Sequence, residues 1–257
     1  MYHLLENESF ILGSAAFTAV FFLDFAIFYP MKISIFARSN ERDMKVKKIS
    51  AANVDACSLP KLFDEEKIDF QTIQCVNWAE YPYKPKVQFR VAHTNDSILL
   101  HFKVQEESVR ARYGEDNGSV WTDSCVEFFS VPAGDGIYYN IECNCIGTIL
   151  IGAGPERNGR EHAPKEVTAL VQRWSSLGTS TFEEREGDEA NWEVALIIPY
   201  AVFFKHQIAS LDGKEVKANF YKCGDELKTP HFLSWNPIAI EKPDFHRPDF
   251  FGTLEFE

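Results

Sequence analysis

Short runs of alternating apolar and polar residues, separated by turn residues, recur along most of the chain. A period of two places successive side chains on opposite faces of a strand, and the 3.6-residue period of a helix is nearly absent. The alternation predicts strands at residues 87–93, 98–105, 125–131, 138–144, 148–152, 167–173, 192–198, 217–223 and 250–256. We therefore expect an all-β protein with little helix.

Turn residues separate the predicted strands, as at Asn95-Asp96 and Asp212-Gly213. One short helix is expected at residues 199–205, where a proline would occupy the first turn. Many short strands with turn signals between them are typical of two antiparallel sheets packed face to face. Because no repeat or second boundary interrupts this pattern, we predict one antiparallel β-sandwich, immunoglobulin-like or of jelly-roll type, over residues 44–257.

The N-terminal extension, residues 1–43, does not fit this pattern. Residues 10–30 form an apolar stretch of membrane-spanning length that is interrupted by Asp24 and carries no lysine or arginine. Three interpretations stay open: a membrane anchor, a poor signal peptide, or a false start ahead of Met31 or Met44. If the extension is natural, it is the part of the chain through which a membrane would be contacted.

Composition favours a folded acidic domain. With 45% hydrophobic and 14% aromatic residues, the chain is able to bury a large core. Its formal net charge of -12 repels nucleic acid phosphates and anionic lipids. Nucleic acid is therefore not expected as a partner. A neutral ligand such as a sugar is compatible with this charge, and so is an ordinary solvated acidic surface.

Six cysteines are too few for a disulfide framework in a chain of 257 residues, and none lies in a CxxC pair or at a spacing that indicates zinc. Cys143 and Cys145 leave the same face of a predicted strand about 7 Å apart, too far for an easy disulfide. We expect reduced cysteines, which favours the cytoplasm over the periplasm or cell envelope. The spacing assigns no metal ligands.

The sequence WTDSCVEFF, residues 121–129, combines a tryptophan with acids inside or next to a strand. Alternation places Val126 and Phe128 on one face, the expected core, and Cys125 and Glu127 on the other. An acid in the middle of a strand beside a tryptophan has two explanations. Either the carboxylate faces solvent and the indole is core, or both belong to a binding site.

The chain resembles the carbohydrate-binding modules of family 9 through an ordered set of motifs: WTDSCVEFF, NIECNCIG, NWEVALIIP, SWNP and FHRPDFFGTLEF. The resemblance extends from about Leu62 to the end of the chain, and W-x-D-x-x-x-E with a terminal FG-x-L-x-F strand is its most specific part. It implies a non-catalytic β-sandwich that binds a mono- or oligosaccharide, often at the reducing end of a glycan. It also implies an association with glycoside hydrolases in glycan breakdown. No cofactor is required, although structural Ca²⁺ is known in the family.

The resemblance also implies site residues. Trp121 and Trp235 match the two tryptophans that sandwich a sugar ring in family members. Glu127 matches an acid that binds hydroxyls, and Asn144 matches a strand amide. Indole rings stack on the apolar faces of a pyranose, while carboxylates and amides bind its rim of hydroxyls. The alternative for Trp235 and Asn144 is that they are packing and turn residues.

One position departs from the family pattern. Glu142 stands where a basic residue is expected in sugar-binding members, which favours a cation, an amino sugar or a different glycan as ligand. Arg247 and its neighbour His246 lie in a proline-bounded loop before the last strand and are candidate contacts at the border of the site. Trp121 and Glu127 would be about 20 Å apart in an extended strand, so both reach one sugar only if the chain turns after Trp121.

Two other functions compete with sugar binding. A glycoside hydrolase needs two carboxylates across a cleft, and Glu127 and Glu142 are the candidate pair. Because their resemblance is to a binding strand, we predict no hydrolytic activity. The second alternative is a degenerate sandwich module used for protein contacts, which exposed tryptophans at 121 and 235 would also suit.

Overall fold

Strands dominate the structure, as the period-two pattern predicts. The structure is a computed structural model and describes residues 42–50, 54–187 and 190–257. Its strands are β1 (Asp43–Lys48), β2 (Gln71–Ile73), β3 (Cys75–Val76), β4 (Lys86–His93), β5 (Ser97–Gln105), β6 (Ser108–Ala111), β7 (Cys125–Val131), β8 (Tyr138–Asn144), β9 (Ile149–Gly154), β10 (Glu161–His162), β11 (Gln172–Ser175), β12 (Phe182–Glu186), β13 (Asn191–Pro199), β14 (Glu215–Cys223), β15 (Phe232–Ser234) and β16 (Gly252–Phe256).

Helical segments of the described residues are short. Helix α1 (Leu59–Glu65) has proline in its first turn, where the missing N–H removes no helical hydrogen bond. Helix α2 (Lys165–Thr168) is a single turn. Single 3₁₀ turns lie at Ala56–Ser58, Val120–Thr122, Arg157–Gly159, Tyr200–Val202 and Pro248–Phe250. The protein is therefore all-β with little helix, which confirms the predicted fold class.

Strands β6 and β12 pair with each other in a separate two-stranded sheet. The other strands form two packed sheets. The first has the order β10-β9-β8-β7-β14-β16-β1, and β15 joins it by pairing with β14 and β3. The second has the order β1-β4-β5-β13-β11, and β2 pairs with β4. Neighbours are antiparallel except at β1, whose residues 43–46 pair in parallel with β16 and whose residues 47–48 pair in parallel with β4. A single strand thus passes from one sheet to the other.

The main core lies between the two sheets and is rich in phenylalanine. Phe89 of β4 stacks on Phe220 of β14, with ring centroids 3.9 Å apart. Phe128 of β7 stacks on the same ring at 5.1 Å. Val126 and Phe128 both point into this core, as the alternation predicts. Because Phe89 belongs to one sheet and Phe220 to the other, these rings hold the sheets together.

The opposite face of β7, β8 and β14 is covered as well. Cys125, Phe129, Tyr138 and Tyr221 pack there in a second apolar cluster with residues of the C-terminal loops, including Phe245. As a result every residue of β7 and β8 is buried. The acid in β7 therefore does not face solvent. It lies on a sheet face that loops cover, and the candidate site forms on this face.

Two predicted elements need correction. Residues 167–173 were expected to form a strand, but helix α2 occupies the first part and β11 starts only at Gln172. Pro164 precedes α2 and Glu166 lies in its first turn, and both are signals for a helix start that outweigh the apolar run. The helix expected at residues 199–205 is the 3₁₀ turn Tyr200–Val202, so only its position is right.

The predicted N-terminal extension lies outside the described residues except for its last two positions. Residues Glu41–Glu257 form one compact unit, and β1 starts at Asp43. Just before it, the Arg42 N–H donates to Asn236 Oδ1 at 2.9 Å. The sheet thus begins slightly ahead of Met44. In the part of the chain that the structure describes, no helix has the length and apolar character needed to cross a bilayer.

Candidate functional site

A pocket opens on the loop-covered face of the first sheet. Strands β7, β8, β9 and β14 supply its floor, and the loops that follow β9, β14 and β15 supply its walls. Its lining side chains are Trp121, Glu127, Glu142, Leu150, Arg157, Arg160, His162, Cys223, Asp225, Phe232, Pro243, Asp244, Phe245 and His246. The pocket therefore combines carboxyl groups, guanidinium groups and aromatic rings.

Trp121 reaches the pocket because the chain turns just before β7. It sits in the 3₁₀ turn Val120–Thr122, which the hydrogen bond from the Asp123 N–H to the Val120 carbonyl closes at 3.1 Å. The Trp121 carbonyl accepts from the Asp225 N–H at 3.3 Å, which ties this turn to the loop after β14. The indole is 36% exposed, an unusual state for tryptophan in this molecule. The turn that a shared site of Trp121 and Glu127 requires is thus present.

Asp123 fixes this turn from inside. Its fully buried carboxylate accepts hydrogen bonds from the Arg112 and Tyr113 N–H groups, both at 3.0 Å. It also pairs with the Arg110 guanidinium, with Nε and Oδ1 3.3 Å apart. The Asn144 amide donates to Oδ2 at 3.1 Å. Asp123 is therefore a structural acid that positions Trp121.

Glu127 and Glu142 form the acidic floor. They lie directly opposite each other on β7 and β8, and they are 3% and 4% exposed. Glu142 Oε1 accepts from the Asn140 amide at 2.9 Å, and Glu127 Oε1 accepts from the Cys223 thiol at 3.1 Å. Glu142 Oε2 is buried and has no hydrogen-bond partner among the described residues. This oxygen lacks the partner that a buried polar atom normally has.

Burial makes these acids hard to ionise. It raises the pKa of Glu127 well above its usual range, and the neighbouring charge of Glu142 adds to this effect. Burial also raises the pKa of Glu142, although Arg160 opposes the shift. The pKa of Asp225 is raised to about 6, again mainly by burial. Near neutral pH these groups are therefore able to hold protons and to donate hydrogen bonds as well as accept them.

Two arginines lie over the acids. Arg160 Nε donates to the Arg157 carbonyl at 3.1 Å, and Arg157 pairs with Asp244 at 3.6 Å. Arg160 approaches the sheet above Gly152, where a Cβ atom would lie 3.2 Å from its Nη1 and 2.6 Å from Asn140 Oδ1. Glycine in β9 thus leaves the room in which the guanidinium sits. The arginines offset part of the negative charge of the floor.

Aromatic side chains form the remaining wall. Phe232 and Phe245 lie with ring centroids 6.2 Å apart. Next to them, His246 Nδ1 and the Tyr138 hydroxyl are hydrogen-bonded at 3.0 Å. Burial and the two arginines lower the pKa of His246 to about 3, so this imidazole is neutral at physiological pH. The pocket therefore presents an apolar wall and a polar floor.

Comparison with known proteins gives the family. The sequence profile of carbohydrate-binding family 9 matches residues 57–256. The chain belongs to carbohydrate-binding family 9. No curated protein sequence gives a significant match.

Solved structures agree with this assignment. One is a crystal structure from Bacteroides uniformis that is provisionally named a carbohydrate-binding protein. Its sequence is 54% identical and its TM-score is 0.82, and the alignment covers 84% of this chain and 100% of that chain. Two structures of a family 9 module from Caldicellulosiruptor kristjanssonii, in complex with glucose and with cellotriose, are similar in fold alone. Their identities are 9% and 8% and their TM-scores 0.52 and 0.55, over 84% of this chain and 96% and 94% of theirs. The protein is thus a carbohydrate-binding β-sandwich of a non-catalytic family.

The predicted tryptophan clamp is wrong for this member of family 9. Trp235 is 2% exposed and packs in the main core, with its ring edge-on to Phe220 at 5.8 Å and to Phe89 at 6.3 Å. It therefore lies on the inter-sheet side, whereas Trp121 lies at the pocket. The alternative of a packing role holds for Trp235, since its indole is enclosed by other rings.

Two further predicted site residues are structural. The Asn144 amide donates to the Tyr113 carbonyl at 2.8 Å, and its Oδ1 accepts from the Thr148 N–H at 2.9 Å, so it closes the turn between β8 and β9. Arg247 pairs with Asp249, with Nε and Oδ1 3.0 Å apart, and does not line the pocket. Of the six predicted ligand-binding residues, the structure brings together Trp121, Glu127 and Glu142 at the pocket.

Several lining residues escaped the sequence analysis. Arg157, Arg160 and Asp225 lie in or next to loops, where no periodic pattern shows which way a side chain points. Phe232 had a usable signal, because it precedes the buried Leu233 in β15 and alternation turns it to the opposite face. Phe245 precedes His246, which was already a candidate contact.

The structural Ca²⁺ that the resemblance implies stays a prediction. Ca²⁺ takes six to eight oxygen ligands. Within this part of the chain, the group of three potential ligands that come close together is Cys125, Glu127 and Cys223. Two thiols and one carboxylate do not suit Ca²⁺, so this group is not a calcium site.

Proposed function

We propose that this family 9 module binds the terminal unit of a saccharide in the pocket and stacks one face of the ring on Trp121. The observation that carries the proposal is a partly exposed indole at the edge of a cavity whose floor holds buried carboxyl groups. A pyranose has this combination of surfaces, since its faces carry C–H groups and its rim carries hydroxyls.

The ring would contact unlike walls. Trp121 would supply a flat surface for one face of the ring, and Phe232 and Phe245, which also line the pocket, would supply apolar contacts. This arrangement replaces the clamp of two tryptophans. Aromatic contacts favour a sugar over a more polar ligand because they gain from burial of C–H groups.

The floor would bind the hydroxyls. Glu142 Oε2 has no hydrogen-bond partner within the described part of the chain and is able to accept from a hydroxyl, while a protonated Glu127 is able to donate to one. Arg157 and Arg160 would donate to hydroxyl or ring oxygens. The two similar folds bind glucose and cellotriose, which supports neutral sugars as the first ligands to test. Amino sugars are the next ligands to test, because the floor of the pocket is acidic.

We further propose, from the resemblance to the family, a supporting role in glycan breakdown next to a glycoside hydrolase. Hydrolysis by the module itself is not supported, because a hydrolase places its two carboxyl groups on either side of the scissile bond. Glu127 and Glu142 instead stand side by side on one floor, as opposed residues of adjacent strands. Holding a catalytic partner at its substrate requires only affinity for the glycan.

Calorimetric titration with glucose, glucosamine, cellobiose and cellotriose, each also in its borohydride-reduced form, tests the proposal. A pocket for one terminal unit predicts affinities that change little with chain length. If the bound unit is the one with the free reducing end, borohydride reduction of the sugar should also cause a large loss of affinity. A steady rise in affinity with length would indicate a groove instead. Binding of none of these sugars by the folded protein would favour the protein-contact alternative.

A further inference from the structure

Two thiols and a carboxyl group meet at the floor of the pocket. Cys125 and Cys223 lie directly opposite each other on β7 and β14. Their side chains and that of Glu127 are 0%, 1% and 3% exposed. The two sulfur atoms and a Glu127 oxygen all lie within 4.8 Å of one another. Three ligand atoms of the kind that bind soft or borderline metals are therefore already assembled.

Packing alone does not account for this group. A buried cysteine often serves as a small apolar residue. Here, however, the single proton of the Cys223 thiol has two acceptors within reach, Glu127 Oε1 at 3.1 Å and the Trp121 carbonyl at 3.4 Å. The neighbouring Glu142 Oε2 is buried without a partner among the described residues. The ionised form of Glu127 is costly to bury beside these groups unless a cation compensates its charge.

We propose that Cys125, Cys223 and Glu127 bind a thiophilic divalent metal ion, with Zn²⁺ as the first candidate. Thiolate and carboxylate are common zinc ligands, and a site with three protein ligands leaves the fourth position for water or substrate. Two thiolates and one carboxylate around a divalent ion carry a net charge of about -1, which the guanidinium group of Arg160 nearby would partly balance.

The geometry needs only a small contraction. A Zn–S bond of about 2.3 Å implies a tetrahedral S–S edge of about 3.8 Å. The ligand atoms lie within 4.8 Å of one another, so a pair of sulfur atoms needs to approach by at most about 1 Å to reach this value. A metal ion is able to reach the site from the pocket, since Cys223 and Glu127 both line it. The open coordination position would face the same pocket, so a water or a ligand hydroxyl would complete the site.

Cobalt spectroscopy of the full chain, without any sugar, tests this site. The reduced protein is freed of metal with a chelator and then titrated with Co²⁺. We expect one equivalent to produce a thiolate-to-cobalt charge-transfer band together with the intense visible bands of tetrahedral cobalt, and Zn²⁺ to remove both. Because binding displaces thiol protons, the apparent affinity should rise with pH. Zn²⁺ should also raise the melting temperature progressively as its concentration increases.

Variants identify the ligands. Cys125→Ala and Cys223→Ala should each lose the charge-transfer intensity of one thiolate and weaken Co²⁺ binding by at least about 100-fold, and Glu127→Gln should weaken it by about 10-fold or more. Cys145→Ala is the matched control, because Cys145 is equally buried but its thiol donates to the Arg110 carbonyl. The exposed Cys57 is replaced by Ala in every sample, which removes adventitious binding there.

Three outcomes would overturn the proposal. The first is a protein with Cys125, Cys223 and Glu127 intact that shows no charge-transfer band with Co²⁺, a test in which no proposed ligand is replaced. The second is a band that persists when both Cys125 and Cys223 are replaced. The third is a Cys125–Cys223 disulfide in the isolated protein, found by thiol counting and mass spectrometry, whose reduction restores no metal binding. If sugar titrations fail while Co²⁺ binds, the metal site stands and the sugar proposal falls.

Discussion

Glu127 and Glu142 face each other across β7 and β8, and both carboxyl groups are almost fully buried. Like charges at directly opposed positions of a sheet destabilise it, and burial adds the cost of desolvation. Glu127 and Glu142 therefore differ from ordinary surface acids in whether they carry a proton or bind a ligand. Such perturbed groups concentrate at functional sites, which is why we place the binding floor here.

The acidic floor should make stability depend on pH in a particular direction. The pKa of Glu142 is raised from 4.5 to about 7 in the folded protein. Between these values the folded state holds more protons than the unfolded state, so this group's contribution to stability is greatest below pH 4.5 and declines as the pH rises to about 7. Replacing Glu142 with Gln should therefore become increasingly favourable over this range, on the order of a few kcal/mol.

Thermal melts of the metal-free wild type and Glu142→Gln between about pH 4 and pH 8 check this prediction. Glu215→Gln is the control, because Glu215 is exposed at the other end of β14, away from the acidic floor. A stability difference between Glu142→Gln and wild type that does not change with pH, or that changes in the opposite direction, would contradict a raised pKa of Glu142.

The two tryptophans of the predicted clamp should behave differently on truncation. Trp235→Ala removes a ring enclosed by Phe89 and Phe220 and should lower the free energy of unfolding by about 3 to 5 kcal/mol. Trp121→Ala should cost much less stability, because its indole is 36% exposed. Denaturant titration of both variants measures the difference. Equal losses in the two variants would show that Trp121 is a core residue as well.

Asp123 should be among the more sensitive polar positions for stability. Asp123→Asn removes the buried carboxylate partner of Arg110, which leaves it only the largely exposed Glu226, and weakens the turn that carries Trp121. Breaking a buried ion pair from one side costs about 3 to 5 kcal/mol. Glu183→Gln is the matched control, since Glu183 pairs with Arg112 at the surface and is 77% exposed there. The Glu183→Gln variant should lose less than about 1 kcal/mol of unfolding free energy. Equal chemical stabilities of the two variants would argue against a structural role for Asp123.

Much of the fold could be predicted from alternation. Residues 125–131 and 138–144 were predicted as strands and are strands with the same bounds, because both strands run through the middle of a sheet and their patterns are uninterrupted. Prediction failed at residues 167–173, where a helix turn follows Pro164. Apolar runs of this length suit a strand or a buried helix equally well, and only the local start signals decide.

The candidate site was predictable only where a motif fixed it. Trp121 and Glu127 lie within one short motif, so their relation was visible in the sequence. The orientation of Trp235 was not, because it depends on which face of the first sheet the chain covers after β15. Arg160 and Asp225 reach the pocket through loops that fold over the sheet. Such positions follow from tertiary packing, and no periodicity in the sequence reports them.

Calorimetric titration of glucose and cellotriose into wild type, Trp121→Ala and Leu170→Ala tests the central claim most directly. Leu170 is 43% exposed and does not line the pocket, so it controls for the loss of a surface apolar side chain. If a sugar ring stacks on Trp121, its removal should weaken binding by about 1 to 3 kcal/mol, roughly 10- to 100-fold in Kd, while Leu170→Ala binds as wild type does. Unchanged affinity in a folded Trp121→Ala protein would contradict the proposed site.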